Sequence, residues 1–411
     1  QTKSYTVLVA NMLADEGLLD VDAPVFRYLP SMRRMTVLGS DDSGPARPAA
    51  TTMLVRHLLS HTAGFSYQAD FNFPPVGVQQ RYERLSSGVE SGRVRSLEQY
   101  VDELAEVPLC FEPGARYEYG HSIDVLGRVM EVVCGQDLCA LMQEKLFRPL
   151  GMRDTDFHVP RDKLDRLAGL YGNASTWGTL YGAKVKRGLV PVASKPGLLR
   201  IDGDQARESA WLKDRVRVLS GGGFLGHNRG GLVSTARDTE AFARMLLSRG
   251  LAPDGTRLVR ASTLARMERN QLVGAWRPSG ENKGSRWCML GDMIRDDVSL
   301  YYQQGGAAGT YWLIDRRRDL AVVFFSQQVD GEEWDALGFD ESLADISKAM
   351  KTILDSPKSL PARLRSRDGL SPRAQAVRRK SAEALSPKAQ PAARRKSSEA
   401  LGPEARRKSS E

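Results

Sequence analysis

A nucleophile is the first requirement for chemistry at a carbonyl group, and the sequence contains neither a G-x-S-x-G motif nor a complete S-x-x-K motif. The absence of G-x-S-x-G argues against an α/β-hydrolase. The chain opens with QTKSYT, so Lys3 stands directly before an amphipathic segment. A lysine shielded from water can act as a base near neutral pH. Lys3 is therefore a candidate base, and a solvated lysine at a frayed helix end is the alternative interpretation.

The possible metal ligands lack the spacing of a zinc site. The histidines show no H-x-x-x-H spacing with an acidic partner, and no C-x-x-C pair occurs among the four cysteines, which are Cys110, Cys134, Cys139 and Cys288. We predict ordinary reduced cysteines and no metal site. The glycine-rich segment SGGGFLGHNRGG at 220–231 lacks the G-K-S/T ending of a phosphate-binding loop. It predicts a loop at the edge of a cleft.

The positive charge is confined to one end of the chain. Residues 356–411 hold 15 Lys and Arg against 5 Asp and Glu, whereas the preceding residues hold 44 against 45. We therefore expect no nucleic-acid partner for the core, because that function needs a basic face on the fold. The repeated RRKS sequence in the tail suits basophilic kinases at Ser381, Ser397 and Ser409. A tail without a role, or one that binds an anionic membrane or nucleic acid, is the alternative.

The elements that must position these residues follow from hydrophobic periodicity and end signals. Helices are predicted at residues 5–16, 97–104, 124–133, 236–247 (with Thr235 as cap) and 341–354. Two strands, 310–314 and 320–327, are predicted on either side of the charged turn DRRRD. Residues 1–355 are predicted to form the folded domain, with a helical part at about 51–175. Residues 356–411 are predicted to be a disordered basic tail.

Six blocks of sequence, in order, resemble the β-lactamase-related serine hydrolases, a family that includes class C β-lactamases, penicillin-binding proteins and esterases. The blocks are QTKSYTVLVANMLADEGLLDVDAPVFRYLP at the start, LVRHLLSHTAGF at 54–65, PGARYEYGHSIDVLGRVMEVVCG at 113–135, LFRPLGMRDTDF at 146–157, GGLVSTARD at 230–238 and GGAAGTYWLID at 305–315. The resemblance implies an α/β (α+β) fold, in which helices flank an antiparallel sheet beside a helical subdomain. It also implies that the family's N-terminal strands and nucleophilic serine precede Gln1, so we expect the chain as given to be inactive.

The resemblance implies roles for two proton-handling residues. Lys3 matches the lysine that follows the family's serine by three positions, and residues three apart share a helix face. Tyr119 matches the tyrosine of the family's Y-x-N or Y-S-x motif. His121 stands where many relatives have asparagine; it is a candidate substrate contact, and a local structural substitution is the alternative.

The strand that carries the family's K-T-G motif has Gln304, Gly305 and Gly306 here, followed by Ala307. The N–H group of Ala307 is implied as an oxyanion donor, together with that of the serine. Gln304 replaces the usual cation or aromatic residue, which favours ester or amide substrates over those that present a carboxylate.

The resulting prediction is a serine-dependent esterase or amidase that acts on small molecules through an acyl-enzyme, without a metal or an organic cofactor. A non-catalytic scaffold that keeps the fold is the alternative, supported by the departures at His121 and Gln304. Because Gln1 is not methionine, we expect a fragment or a processed chain. Neither compartment nor oligomeric state is therefore indicated, and no apolar run approaches the length of a membrane span.

Overall fold

The structure is a computed structural model that describes residues 1–39, 45–67, 76–172, 190–191, 199–200, 218–225, 229–272, 286–295, 300–306 and 309–329. The chain divides into two units, Gln1–Arg365 and Ser366–Glu411, and every described residue belongs to the first unit. The predicted helix at 341–354, the tail with its three RRKS serines, and Ala307 lie outside the described residues.

The described helices concentrate in the first half of the chain. They are α1 (Thr2–Asp15), α2 (Val55–Leu59), α3 (Val76–Glu90), α4 (Leu97–Ala105), α5 (Ser122–Cys134), α6 (Leu138–Met142), α7 (Arg148–Leu150), α8 (Ala236–Leu247) and α9 (Ala261–Met267). Short 3-10 turns occupy Val25–Arg27, Pro30–Arg34 and Arg161–Arg166, and a π-helical segment, Gln143–Phe147, follows α6.

The strands form one main antiparallel sheet and smaller pairings. The strands are β1 (Thr36–Val37), β2 (Arg47–Pro48), β3 (Tyr171–Gly172), β4 (Val190–Pro191), β5 (Leu199–Arg200), β6 (Phe224–Leu225), β7 (Arg229–Gly230), β8 (Arg286–Cys288), β9 (Gly291–Arg295), β10 (Leu300–Gly306), β11 (Thr310–Asp315), β12 (Leu320–Phe324) and β13 (Gln328–Val329). The main sheet has the order β12–β11–β10–β9–β8. A second sheet, β13–β3–β5–β4, pairs β13 with β3 in parallel.

Helix α1 is buried on all sides from Thr2 to Leu13. Tyr5 packs against Phe147 and Phe242, with ring centroids 6.1 and 4.3 Å away. The polar side chain of Ser4 donates to the carbonyl oxygen of Leu290 at 2.7 Å, which satisfies it inside the core. The prediction of an amphipathic helix is therefore wrong in one respect, because α1 is enclosed on all sides. Its buried polar side chains, such as Thr6 and Asn11, also form hydrogen bonds to backbone carbonyl oxygens inside the core. It also begins three residues earlier than predicted.

The other predicted elements that fall on described residues are present, with small shifts at their ends. Residues 236–247 form α8 as predicted, and the Thr235 hydroxyl accepts from the Asp238 N–H group at 3.1 Å. The second predicted strand ends three residues early, at Phe324. After Phe324 the chain no longer pairs with β11. The carbonyl oxygen of Gln327 instead accepts a hydrogen bond from the Tyr171 N–H group at 2.8 Å. Among the described residues, no helix is both long enough and apolar enough to cross a membrane.

Candidate active site

The start of α1 lies against the last residues of β10. The backbone nitrogen of Gln1 lies 3.4 Å from the Gly305 carbonyl oxygen. A Cβ atom on Gly306 would lie 2.2 Å from the hydroxyl of Thr310, so a larger residue there would force that side chain to move. A Cβ atom on Gly305 would meet nothing within 4 Å. Open space is therefore left beside β10 at the start of α1, as expected where a ligand approaches a strand closely.

Lys3 and Tyr119, predicted to act together, are in contact. The Lys3 side chain is 8% exposed, so the solvated, frayed alternative is wrong. Its Nζ lies 4.5 Å from the ring centroid of Tyr119 and 5.3 Å from that of Tyr67, within the range of a cation–π interaction. The same nitrogen donates to the Gly222 carbonyl oxygen at 2.6 Å. The glycine-rich segment thus borders the site, as the sequence predicts.

A buried carboxyl group, that of Asp124 on α5, fixes the loop that holds Lys3. It is fully buried and accepts from the Ser220 hydroxyl at 2.5 Å and from the Gly222 N–H group at 2.9 Å. A Cβ atom on Gly222 would lie 2.6 Å from the same carboxyl group, so glycine is required at this position. Because Gly222 donates to Asp124 through its N–H group and accepts from Lys3 through its carbonyl, Asp124 sets the position of the lysine.

His121 lies behind this loop and not on an open surface. It is 1% exposed, and its ring nitrogens contact the Asp124 carboxyl group at 3.2 Å and the Tyr100 hydroxyl at 3.1 Å. Its ring is also packed against Tyr67, with centroids 4.5 Å apart. These surroundings favour a structural substitution at His121 over the predicted contact with a substrate.

His61 positions the segment that carries Tyr119. Its carbonyl accepts from the Glu118 N–H group at 2.9 Å, and its Nδ1 lies 3.4 Å from the Gly120 N–H group, which donates to it. The imidazole ring lies 4.9 Å from the Tyr119 ring. Burial, and then the charge of Lys3, hold the pKa of His61 well below its usual value of 6.5. The imidazole is therefore neutral near pH 7, as an Nδ1 acceptor requires.

Gln304 faces inward on β10. It is 7% exposed, and its side-chain nitrogen donates to the Gly305 carbonyl oxygen at 3.2 Å. The amide thereby contacts the same carbonyl that the start of α1 contacts. Gln304 and Gly305 are thus brought to the site as predicted.

Three more aromatic side chains, which no sequence motif identified as site residues, complete the lining of the candidate active site. They belong to Tyr67, Tyr117 and Trp287. The Trp287 ring on β8 lies 5.5 Å from the ring of Tyr117 and 5.9 Å from that of Tyr119. Tyr67 is fully buried, and burial, with a smaller effect from Asp124, raises the pKa of its hydroxyl well above 10. Tyr67 therefore keeps its proton at neutral pH. Tyr67 lies two residues after the block at 54–65 and Asp124 lies inside the block at 113–135, but Trp287 has no local signal.

Comparison with known proteins gives one consistent result. The family model described as Beta-lactamase matches residues 1–342. Esterase EstB of Burkholderia gladioli is 37% identical over 336 residues, which cover 79% of this chain and 75% of EstB. The structure of simvastatin synthase (LovD) from Aspergillus terreus is 25% identical with a TM-score of 0.58, and covers 80% of this chain and 77% of that one. EstCE1, described as a hydrolase with promiscuous acyltransferase activity, shares the fold at 24% identity and a TM-score of 0.57, over 80% of this chain and 78% of its own.

Proposed function

Because the chain belongs to the beta-lactamase family, whose members are serine hydrolases and acyltransferases, we propose that it hydrolyses carboxylic esters through a serine-bound acyl-enzyme. In this proposal the nucleophile is a serine bonded to the backbone nitrogen of Gln1, three positions before Lys3. The observation that carries the proposal is the meeting of Lys3, Tyr119 and β10 around the start of α1. A serine at that point would lie beside a lysine, a tyrosine and open space at Gly305.

The proposed reaction has two halves. In the first, the serine oxygen attacks the ester carbonyl carbon while its proton passes to Lys3 or Tyr119, and the alcohol leaves with that proton. In the second, a water molecule attacks the acyl-enzyme, and the carboxylic acid is released as the serine regains a proton. The N–H groups of Ala307 and of the serine would hold the negative oxygen in both halves.

The residues that line the site favour an ester as the substrate over a molecule with a free carboxylate. Gln304 brings no positive charge to β10, and Tyr119 and Trp287 offer apolar surface. The identity to an esterase agrees with this substrate class. Transfer of the acyl group to an alcohol in place of water is the second candidate. It is favoured by the similarity to simvastatin synthase, and it needs the same first half-reaction.

The test compares three versions of the full chain: one that begins at Gln1, one with a serine added before Gln1, and one with an alanine added there. We expect turnover of p-nitrophenyl butyrate, preceded by a burst of p-nitrophenol, only with the added serine. Mass spectrometry should find the butyryl group on that serine.

Two variants in the serine-extended chain test the proton-handling roles. Lys3→Ala and Tyr119→Phe should each lower kcat by about 10²–10⁴-fold, the usual range for a lost general acid or base. Circular dichroism would verify that each variant is folded. Equal turnover by the serine- and alanine-extended chains would overturn the proposal. Faster loss of ester in the presence of butanol, with formation of butyl butyrate, would identify acyl transfer as the dominant second half-reaction.

A further inference from the structure

Outside the candidate active site, three side chains of different chemistry lie together. They are the thiol of Cys139, the carboxyl group of Asp156 and the imidazole of His158, and their ligand atoms all lie within 4.8 Å of one another. All three residues are partly exposed, so an ion from solvent can reach them. The proposed ester hydrolysis uses none of them.

The fold brings these residues together from two segments. Cys139 is the second residue of α6, which begins after Asp137, whose carboxyl group accepts from the Ala140 N–H group at 2.8 Å. Asp156 forms an antiparallel bridge with Val233, so its backbone is extended. The chain bends at residues 157–158, directly after this bridge. The ligand atoms of Asp156 and His158 both lie within 4.8 Å of the Cys139 sulfur.

The carboxyl group of Asp156 is held in place by donors from outside the cluster. The Gln143 side-chain nitrogen donates to one of its oxygens at 3.0 Å, and the Phe157 N–H group donates to the other at 2.6 Å. The Cys139 thiol donates to that second oxygen at 2.9 Å. Hydrogen bonds of this kind orient metal-binding carboxylates and increase the affinity of a site.

We propose that Cys139, Asp156 and His158 bind a zinc-type divalent cation, with water as the fourth ligand. One thiolate, one carboxylate and one neutral imidazole are ligands that zinc accepts, and the two negative charges balance the ion. Tetrahedral bonds of about 2.0–2.3 Å place ligand atoms roughly 3.3–3.6 Å apart, so the cluster needs shifts of only about 1 Å. On binding, the ion replaces the thiol proton, which is released to solvent.

The ion would have a structural effect on the wall of the candidate active site. Asp156 and Val233 exchange two backbone hydrogen bonds, of 3.1 and 2.8 Å. The neighbouring Leu232 N–H group donates to the Thr2 hydroxyl at 3.1 Å, in the first turn of α1. A cation bound to Cys139 would therefore link α6 to the segment that contacts α1. The expected result is a gain in thermal stability, independent of any ester hydrolysis.

The test titrates the metal-free full chain with Zn²⁺ and, separately, with Co²⁺. We expect one ion per chain, release of a proton, and the near-ultraviolet absorbance of a thiolate–cobalt bond. Cys139→Ser should abolish that absorbance and weaken Zn²⁺ binding by more than about 100-fold, since even outer partners of a site contribute 10–100-fold. Zn²⁺ should raise the Tm of the wild-type chain and not that of Cys139→Ser.

Cys134→Ser is the matched control, because Cys134 is a partly exposed cysteine on the preceding helix and outside the cluster. It should bind both ions as the wild-type chain does. His158→Gln provides a second test if the serine variant does not fold, and it should weaken binding while keeping the thiolate–cobalt absorbance. Absence of one-to-one binding to the wild-type chain, or equal binding by Cys139→Ser, would overturn the proposal.

Discussion

Two aspartates hold segments of this chain together in opposite surroundings. Asp124 is fully buried beneath the candidate active site and accepts hydrogen bonds from the Ser220 hydroxyl and the Gly222 backbone. The side chain of Asp154 is 24% exposed and is paired with Arg166 and Lys163 at 2.8 and 2.7 Å. The buried group is surrounded by donors that water cannot replace. The exposed group has charged partners whose attraction solvent and salt weaken.

The difference shows where the fold depends on a single side chain. When a buried acceptor is removed, its donors lose their hydrogen-bond partner and water cannot replace it. Each unsatisfied donor then lowers the free energy of unfolding by about 1–3 kcal/mol. Loss of an exposed ion pair lets both partners return to solvent. The side-chain contacts of Asp124 also lead to Lys3 through Gly222. Those of the Asp154 side chain stay within the segment around Arg166. We therefore expect that substitution of Asp124 lowers both stability and activity, whereas loss of the Asp154 ion pair has only a small effect on stability.

The largest effect is expected for Asp124→Ala. It should lower the free energy of unfolding by about 3 kcal/mol or more, because it removes the acceptor of at least two buried donors. In the serine-extended chain it should also lower kcat, since Gly222 would no longer hold Lys3 in place. Urea unfolding and p-nitrophenyl butyrate turnover measure the two effects.

Asp124→Asn is the matched control for that variant. Its amide oxygen can still accept from Ser220 and Gly222, so most of the stability should remain. If the alanine variant unfolds at the same urea concentration as the wild-type chain, the proposed role of Asp124 in holding the loop is wrong.

An intermediate effect is expected at His61, which belongs to the buried region. Its pKa is below 6.5 in the folded protein because of burial and Lys3. Below pH 6.5 the unfolded chain therefore binds a proton that the folded chain does not, and stability falls as the pH falls. His61→Gln should reduce this dependence by up to about 1.4 kcal/mol per pH unit between pH 6.5 and 5.5. Urea unfolding at several pH values measures it, and an unchanged slope would contradict a neutral, buried imidazole.

The smallest effect is expected for Arg166→Ala. Hydrogen bonds from Arg166, and then from Lys163, hold the pKa of Asp154 well below its usual range. The stabilisation is therefore present above the ordinary pKa of about 4 and is lost as the pH falls below it. Because the pair is exposed, the loss at pH 7 should stay below about 1 kcal/mol and shrink further in high salt. A loss as large as that of Asp124→Ala would remove the distinction between the two aspartates.

Features that depend on neighbouring residues could be predicted from the amino-acid sequence. The threonine before α8, the turn between β11 and β12, and the blocks around Lys3 and Tyr119 are local patterns, and each gave a correct element or family assignment. Hydrophobic periodicity and helix-end signals indicate the conformation of a segment. They can be interpreted from the sequence because they do not depend on the rest of the fold. Periodicity failed to show that α1 is enclosed on all sides, since burial depends on what packs around a helix.

Contacts between residues far apart in the sequence are visible only in the folded chain. Lys3 donates to Gly222 across 219 positions of sequence, and Gly222 donates to Asp124 across 98. Trp287 lies on β8, at the edge of the main sheet, and its ring packs against that of Tyr119. Cys139 contacts Asp156 across 17 positions that have no metal-site spacing. Contacts of this kind follow from the packing of whole elements, which no short pattern encodes. The family and the meeting of Lys3 with Tyr119 were therefore predictable, whereas the buried network that positions them and the proposed metal site were not.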